Sequence, residues 1–185
     1  MFDIIVCTDN NNGIGFYDEL NNVHKLPWKI KEDMKYFKEI TTKTNNPNLK
    51  NIVIMGRKTW ESLPLINNER YLKNRINIVI TSKNKDKFNN CSNIIFSKNF
   101  KESLNITKNI DHENIFIIGG RTVYEQALKS SEFRFLYINK LNKIFETNIF
   151  FPFINYQNFK LIKSSKIETN SKVFISINKY QNLLF

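Results

Sequence analysis

An aspartate stands where the pattern asks for an apolar residue. After Leu26-Pro27-Trp28 the spacing predicts a helix over 30–42, on which Ile30, Asp33, Met34, Phe37, Ile40 and Thr41 share one face at about 100° per residue. Glu32, Lys35 and Glu39 fall opposite, so Asp33 points inward with the apolar stripe. A carboxylate there is costly unless it is neutral or bonded to a group that needs it. Two readings stay open. Asp33 either accepts hydrogen bonds from its own first-turn amides, or it holds a planar, amidine-like ligand and lets protonation occur beside it.

Two other places have the chemistry of anion sites. The run Asn51-Ile52-Val53-Ile54-Met55 enters Gly56-Arg57-Lys58-Thr59-Trp60, and Ile115-Phe116-Ile117-Ile118 enters Gly119-Gly120-Arg121-Thr122-Val123-Tyr124. Each reads as strand, glycine, helix, with free backbone N–H groups at the helix start and Arg57, Lys58 or Arg121 beside them. One such junction is ordinary in an α/β protein. Two in a chain with only 5 glycines suggest a ligand with phosphates at two places, such as a dinucleotide. Gly13-Ile14-Gly15 lacks the third glycine and the helix of a G-x-G-x-x-G fingerprint. It reads either as a plain turn or as the start of a mobile loop from Asn10 to Trp28.

These residues need a scaffold, and the apolar runs supply it. Ile4–Cys7, Asn51–Met55, Ile76–Thr81, Asn93–Ser97, Ile115–Ile118 and Phe133–Asn139 read as buried strands. Helical segments at about 30–42, 58–63, 100–109 and 121–129 alternate with them, which argues for a parallel sheet covered on both faces. Phe159–Glu168 and Lys172–Gln181, joined by Thr169-Asn170-Ser171, read as a terminal antiparallel hairpin. The stretches 43–50, 64–74 and 83–92, rich in Asn and Lys, read as loops. No internal repeat and no dividing linker is visible, so the expectation is one domain over 1–185.

Composition narrows the class. With 41% hydrophobic residues and 16 Phe, the chain has the material for a core. The formal net charge is +11, but no run of five basic residues occurs and the cations are scattered. The surplus suits anionic small molecules as well as nucleic acid. Cys7 and Cys91 form no CxxC pair, and no His cluster joins them, so reduced thiols and no metal site are expected. Met1 to Asp9 carries Asp3 and Asp9 around a four-residue apolar run and does not read as a signal peptide; no 18-residue apolar stretch reads as a membrane span. A cytoplasmic protein is expected.

In order and spacing, a set of motifs resembles the dihydrofolate reductase family over nearly the whole chain. They are Gly13-Ile14-Gly15, Leu26-Pro27-Trp28, Asp33-Met34-Lys35-Tyr36-Phe37, Met55-Gly56-Arg57-Lys58-Thr59-Trp60-Glu61-Ser62, Asn74-Arg75-Ile76-Asn77, Ile118-Gly119-Gly120, Val123-Tyr124 and Phe150-Phe151-Pro152. The segment around Asp33 is most similar to protozoan members, in which this domain is often fused to thymidylate synthase, so a synthase domain in the full-length protein is an expected partner. The resemblance implies a three-layer α/β/α fold around a mainly parallel eight-stranded sheet with a C-terminal antiparallel hairpin. It also implies hydride transfer from NADPH to C6 of dihydrofolate with protonation at N5, a place in one-carbon metabolism, and an antifolate target.

By the same resemblance, Asp33 matches the acid that binds the pterin 2-amino group and N3 and promotes protonation. Arg75 matches the arginine that pairs with the glutamyl α-carboxylate. Met34, Phe37 and Leu63 would line the substrate pocket, with Ile118 and Tyr124 where the two rings meet. Val6 and Cys7 would offer backbone groups to the nicotinamide, and Ile14 and Gly15 would lie against its ribose. Gly119, Gly120, Arg121 and Thr122, with Val123 following, match the pyrophosphate segment. Gly56, Arg57, Lys58, Thr59, Thr81, Ser82 and Lys83 match the region of the adenosine 2′-phosphate, and the charge favours NADPH over NADH. Three positions depart from the family pattern. Asn139 stands where a Thr usually bonds the acid, Asn148 where an Asp commonly tethers the mobile loop, and Leu26 where Met is frequent. An amide keeps a hydrogen bond but loses charge assistance.

Two other functions fit parts of the sequence. A related NADPH reductase acting on another pyrimidine-like or pterin-like ring, as in riboflavin synthesis, has a similar fold, but Asp33 with Arg75 matches a pterin plus a glutamate tail. A basic nucleic-acid module would need clustered Lys and Arg interleaved with aromatics, whereas the Phe residues fall at core periodicity.

Overall fold

The computed structural model describes residues 1–83 and 92–184; Cys91 and most of the 83–92 loop lie outside them. In chain order the elements are β1 (Phe2–Thr8), β2 (Gly13–Asp18), β3 (Val23–Lys25), α1 (Lys31–Thr42), β4 (Asn51–Gly56), α2 (Arg57–Glu61), β5 (Arg75–Ile80) and β6 (Ile94–Ser97). Then follow α3 (Phe100–Thr107), β7 (Ile115–Ile117), α4 (Arg121–Leu128), β8 (Phe133–Leu141), β9 (Ile149–Phe150), β10 (Phe159–Glu168) and β11 (Phe174–Asn182).

Runs of β-branched residues that are apolar on both sides form strands where both sheet faces are covered. Here they assemble one eight-stranded sheet in the order β10-β11-β8-β1-β7-β4-β5-β6. The six strands from β8 to β6 pair in parallel, and β11 and β10 add on antiparallel at the β8 edge. Because side chains alternate along a strand, each run feeds two cores. Ile4, Val6, Ile52, Ile54 and Ile78 pack with Phe100 and Leu104 of α3 and Val123 and Ala127 of α4. Ile5, Val53, Met55 and Val79 pack on the other side with Trp60 of α2 and with Tyr36, Phe37 and Ile40 of α1. The α/β class, the eight-stranded sheet and the terminal hairpin agree with the expectation.

Two local expectations change. Residues Asn10–Trp28 are more than a loop, since β2 and β3 pair antiparallel and β2 also pairs with β9 in a small second sheet. Asn12 and Asn22 take φ values of 63° and 51° at the turns, a region Asn tolerates better than most side chains. Met34 is the second case: it is 52% exposed, lying at the margin of the α1 stripe. The inward line of α1 is Ile30, Asp33, Phe37 and Thr41, with Ile30, Asp33 and Thr41 fully buried.

Candidate active site

Asp33 is 4% exposed, at the first turn of α1, and its bond goes elsewhere than to its own amides. Asn139 of β8 donates from Nδ2 to Asp33 Oδ1 at 2.7 Å. Cys7 of β1 is the register partner of Asn139, which brings its thiol to the same carboxyl. Burial pushes the Asp33 carboxyl above the usual carboxylate range, against the Asn139 amide, the Cys7 thiol and, most weakly, the Trp28 indole. Trp28 Nε1 approaches without closing a full hydrogen bond, and Asn139 Oδ1 is likewise buried with no partner among the described residues. Desolvation, and then the charge of Asp33, push the Cys7 thiol well up, so Cys7 is a poor nucleophile.

Arg75 begins β5 and crosses to the other end of the α1 stripe. Its Nη1 donates to Thr41 Oγ1 at 2.8 Å, its Nε donates to the Lys73 carbonyl, and the guanidinium lies 5.7 Å from the centre of the Phe37 ring. No carboxylate of the described residues reaches it, and burial lowers its pKa to about 10. Asp33, Phe37 and Thr41 are successive turns of one helix face, so acid and cation stand at two ends of a wall about 12 Å long. That wall has an apolar middle, an acidic end and a cationic end.

The two glycine junctions abut. Gly56 N–H donates to the Gly119 carbonyl at 2.7 Å, and Gly120 lies so close to α2 that an added Cβ would stand 3.2 Å from Thr59 Oγ1. Gly119 takes φ of +110°, and a Cβ there would meet the Tyr124 ring at 3.0 Å. Neither α2 nor α4 has a side-chain cap, which leaves first-turn amides available. The separate anion sites read from sequence are therefore one continuous cradle. Arg57 is held by Glu61 and Arg121 by Glu125, each one turn along its helix. Thr59 lies within α2 and Thr81 just past the end of β5, where Thr81 Oγ1 accepts from Lys83 N–H at 3.1 Å and Ser82 and Lys83 are exposed.

The remaining candidates fall in two groups. Val6, Ile118, Val123 and Tyr124 are buried, and the Tyr124 hydroxyl donates to the Ile5 carbonyl at 2.9 Å. Ile14 and Gly15 lie on β2, and Leu63 is half-buried just beyond α2, its carbonyl accepting from Arg70 Nε. Sequence reasoning missed Thr41 as the Arg75 partner, and missed the strap that β2 and β3 form. Asn148 clasps that strap: its Oδ1 accepts from Tyr17 N–H at 2.7 Å and its Nδ2 donates to the Tyr17 carbonyl at 2.9 Å. An Asp could make only the first bond, so the departure from the family pattern yields a neutral two-point tether.

Comparison with known proteins identifies the family. The family model described as dihydrofolate reductase matches residues 1–182. A Heliothis virescens protein named dihydrofolate reductase is 33% identical over 181 residues, which cover 96% of this chain and 93% of that protein. The Candida albicans protein of the same name is 38% identical over 117 residues, 63% of this chain and 58% of its own length. A Glycine max protein named bifunctional dihydrofolate reductase-thymidylate synthase is 31% identical over 175 residues; the match covers 91% of this chain but only 32% of that relative. With a family-model match over residues 1–182 and a relative 33% identical over nearly its whole length, the chain belongs to the dihydrofolate reductase family.

Proposed function

We propose that the chain reduces 7,8-dihydrofolate to 5,6,7,8-tetrahydrofolate with NADPH. The observation that carries this reading is the α1 wall, with a buried carboxyl at one end and, at the other, a half-buried guanidinium that no carboxylate of the described residues reaches. A pterin ring presents two N–H donors side by side, which match the two oxygens of Asp33. A glutamate tail presents a carboxylate, which matches Arg75. Between them Phe37, with Met34 and Leu63 at the margins, offers apolar surface for the rings.

The glycine cradle fits a dinucleotide: backbone approaches backbone with no room for side chains, uncapped amides stand at the α4 start, and Arg57, Lys58, Arg121 and Lys83 lie along it. When bound, the nicotinamide supplies the hydride. The protein's own part is to hold and orient the pterin, to exclude water, and to set beside it a carboxyl that takes up a proton at higher pH than a free carboxyl does. A cytoplasmic location belongs to the proposal too; what is observed is that no helix of the described residues is long and apolar enough to cross a membrane. A thymidylate synthase partner, as the names of the bifunctional relatives suggest, belongs to the proposal as well.

The test is Arg75→Leu assayed with two substrates. KM for dihydrofolate should rise by about 2–5 kcal/mol in binding terms, while a small dihydropterin lacking the tail is barely affected. Equal losses for both substrates would place Arg75 in the scaffold instead.

A further inference from the structure

The β2–β3 strap carries chemistry as well as cover. Tyr17 and His24 are cross-strand partners, and their rings stack with centroids 4.4 Å apart, 19° from parallel. The Lys58 ammonium lies 5.4 Å from the centre of the same Tyr17 ring, and β3 packs against α2. The strap therefore delivers an imidazole beside Arg57 and Lys58. We propose that His24 is a cofactor-specificity residue, adding a third, titratable cation to the phosphate site at Arg57 and Lys58. This rests on the reading that a 2′-phosphorylated dinucleotide binds there.

The surroundings give the sign. The groups facing His24 are Tyr17 from β2 and Lys58, Glu61 and Arg57 from α2; its neighbour Lys25 is turned onto the Phe16 ring, 4.9 Å from its centre. Partial burial, then Lys58 and Arg57, hold the imidazole below its ordinary value, with only Glu61 opposing them. Glu61 is itself engaged by Arg57. Because Glu61 already takes one of the two fixed cations, a seated phosphate dianion leaves one negative charge unbalanced, and a protonated His24 can balance it. Phosphate binding must then draw a proton onto His24, and by linkage acid must strengthen the phosphate's hold.

The experiment is calorimetric titration of the whole chain with NADPH and with NADH, at pH 6 and pH 8, in buffers of different ionisation enthalpy. The wild type should take up protons with NADPH beyond any change with NADH. His24→Phe keeps a ring on Tyr17 without the charge; it should lose that uptake and weaken NADPH by about three- to tenfold at pH 6 and by less than about twofold at pH 8. His24→Arg should restore NADPH affinity at both pH values while taking up no proton. The 2′-phosphate titrates near pH 6 itself, so each comparison is made between variants at one pH. Unchanged proton uptake in His24→Phe would overturn the role of His24 alone. A wild type that binds NADPH and NADH equally would overturn the cofactor reading, and this proposal with it.

Discussion

Between the ordinary carboxyl pKa and the raised value that burial imposes on Asp33, the native chain binds more protons than the unfolded one. The contribution of Asp33 to stability is therefore complete at low pH and lost as pH rises through the raised value, leaving a net cost at neutrality. Asp33→Asn should relieve that cost, since Asn139 can still donate to the new amide oxygen. At pH 7 the melting temperature should rise by roughly 2–4 °C for each kcal/mol relieved, with the gain vanishing near pH 4. Turnover with dihydrofolate should fall at least about tenfold in the same variant. A variant that melts lower than wild type at pH 7 would contradict the electrostatic account. Asn139→Leu removes the strongest hydrogen bond to the carboxylate, so the Asp33 titration, followed by carbon NMR of the labelled carboxyl, should move to higher pH; an unmoved midpoint would contradict it. Asp33 was legible in the sequence because an acid in an apolar stripe is anomalous by itself. Asn139 was placed near it only through the family resemblance, because a bond across 106 residues leaves no local pattern.

Among the elements, the strap is where sequence reading ran short. The buried strands announce themselves as continuous apolar runs, and their helices as 3.6-residue stripes. Residues 10–28 are rich in Asn and contain a three-residue strand whose outer positions are exposed, so neither period shows. The usable signal was Asn21-Asn22, a pair suited to left-handed turn conformations, between Phe16-Tyr17 and Val23-His24. What fixes the strap is a long-range clasp, Asn148 on the Tyr17 backbone, again out of reach of local pattern. Asn148→Asp should replace the donor facing the Tyr17 carbonyl with a second acceptor. Amide exchange in Phe16–Lys25 should then accelerate about tenfold, as for the loss of one or two net hydrogen bonds, while β4 and β7 stay protected. Unaltered exchange in the strap would show that its contacts with α2 suffice.

For the molecule as a whole, the central pair β1 and β8 is locked by one ion pair at the edge of the sheet core. Arg134 grips Asp3 with two bonds of 3.0 Å, and Asp3 is 1% exposed. Arg134→Leu strands that carboxyl and should cost about 2–3 kcal/mol in urea unfolding, below the 3–5 of full burial because Arg134 is partly solvated. Loss of the exposed Lys35–Glu39 pair, at 3.9 Å, should cost less than about 0.5 kcal/mol. The +11 charge acts at this scale too: it raises the encounter rate with anionic ligands, which should fall as salt is added. The same surplus suits nucleic acid as well, but the scatter of the cations and the family match over residues 1–182 favour the small-molecule use of it.

The central claim is that this chain turns over dihydrofolate with NADPH. The most direct measurement mixes the purified chain with both and follows the loss of absorbance from NADPH together with the appearance of tetrahydrofolate. Stoichiometric conversion of one to the other, at a rate that falls at least about tenfold in Asp33→Asn, is the expected result. NADPH consumed without tetrahydrofolate, or no consumption by a chain shown to bind both molecules, would contradict it.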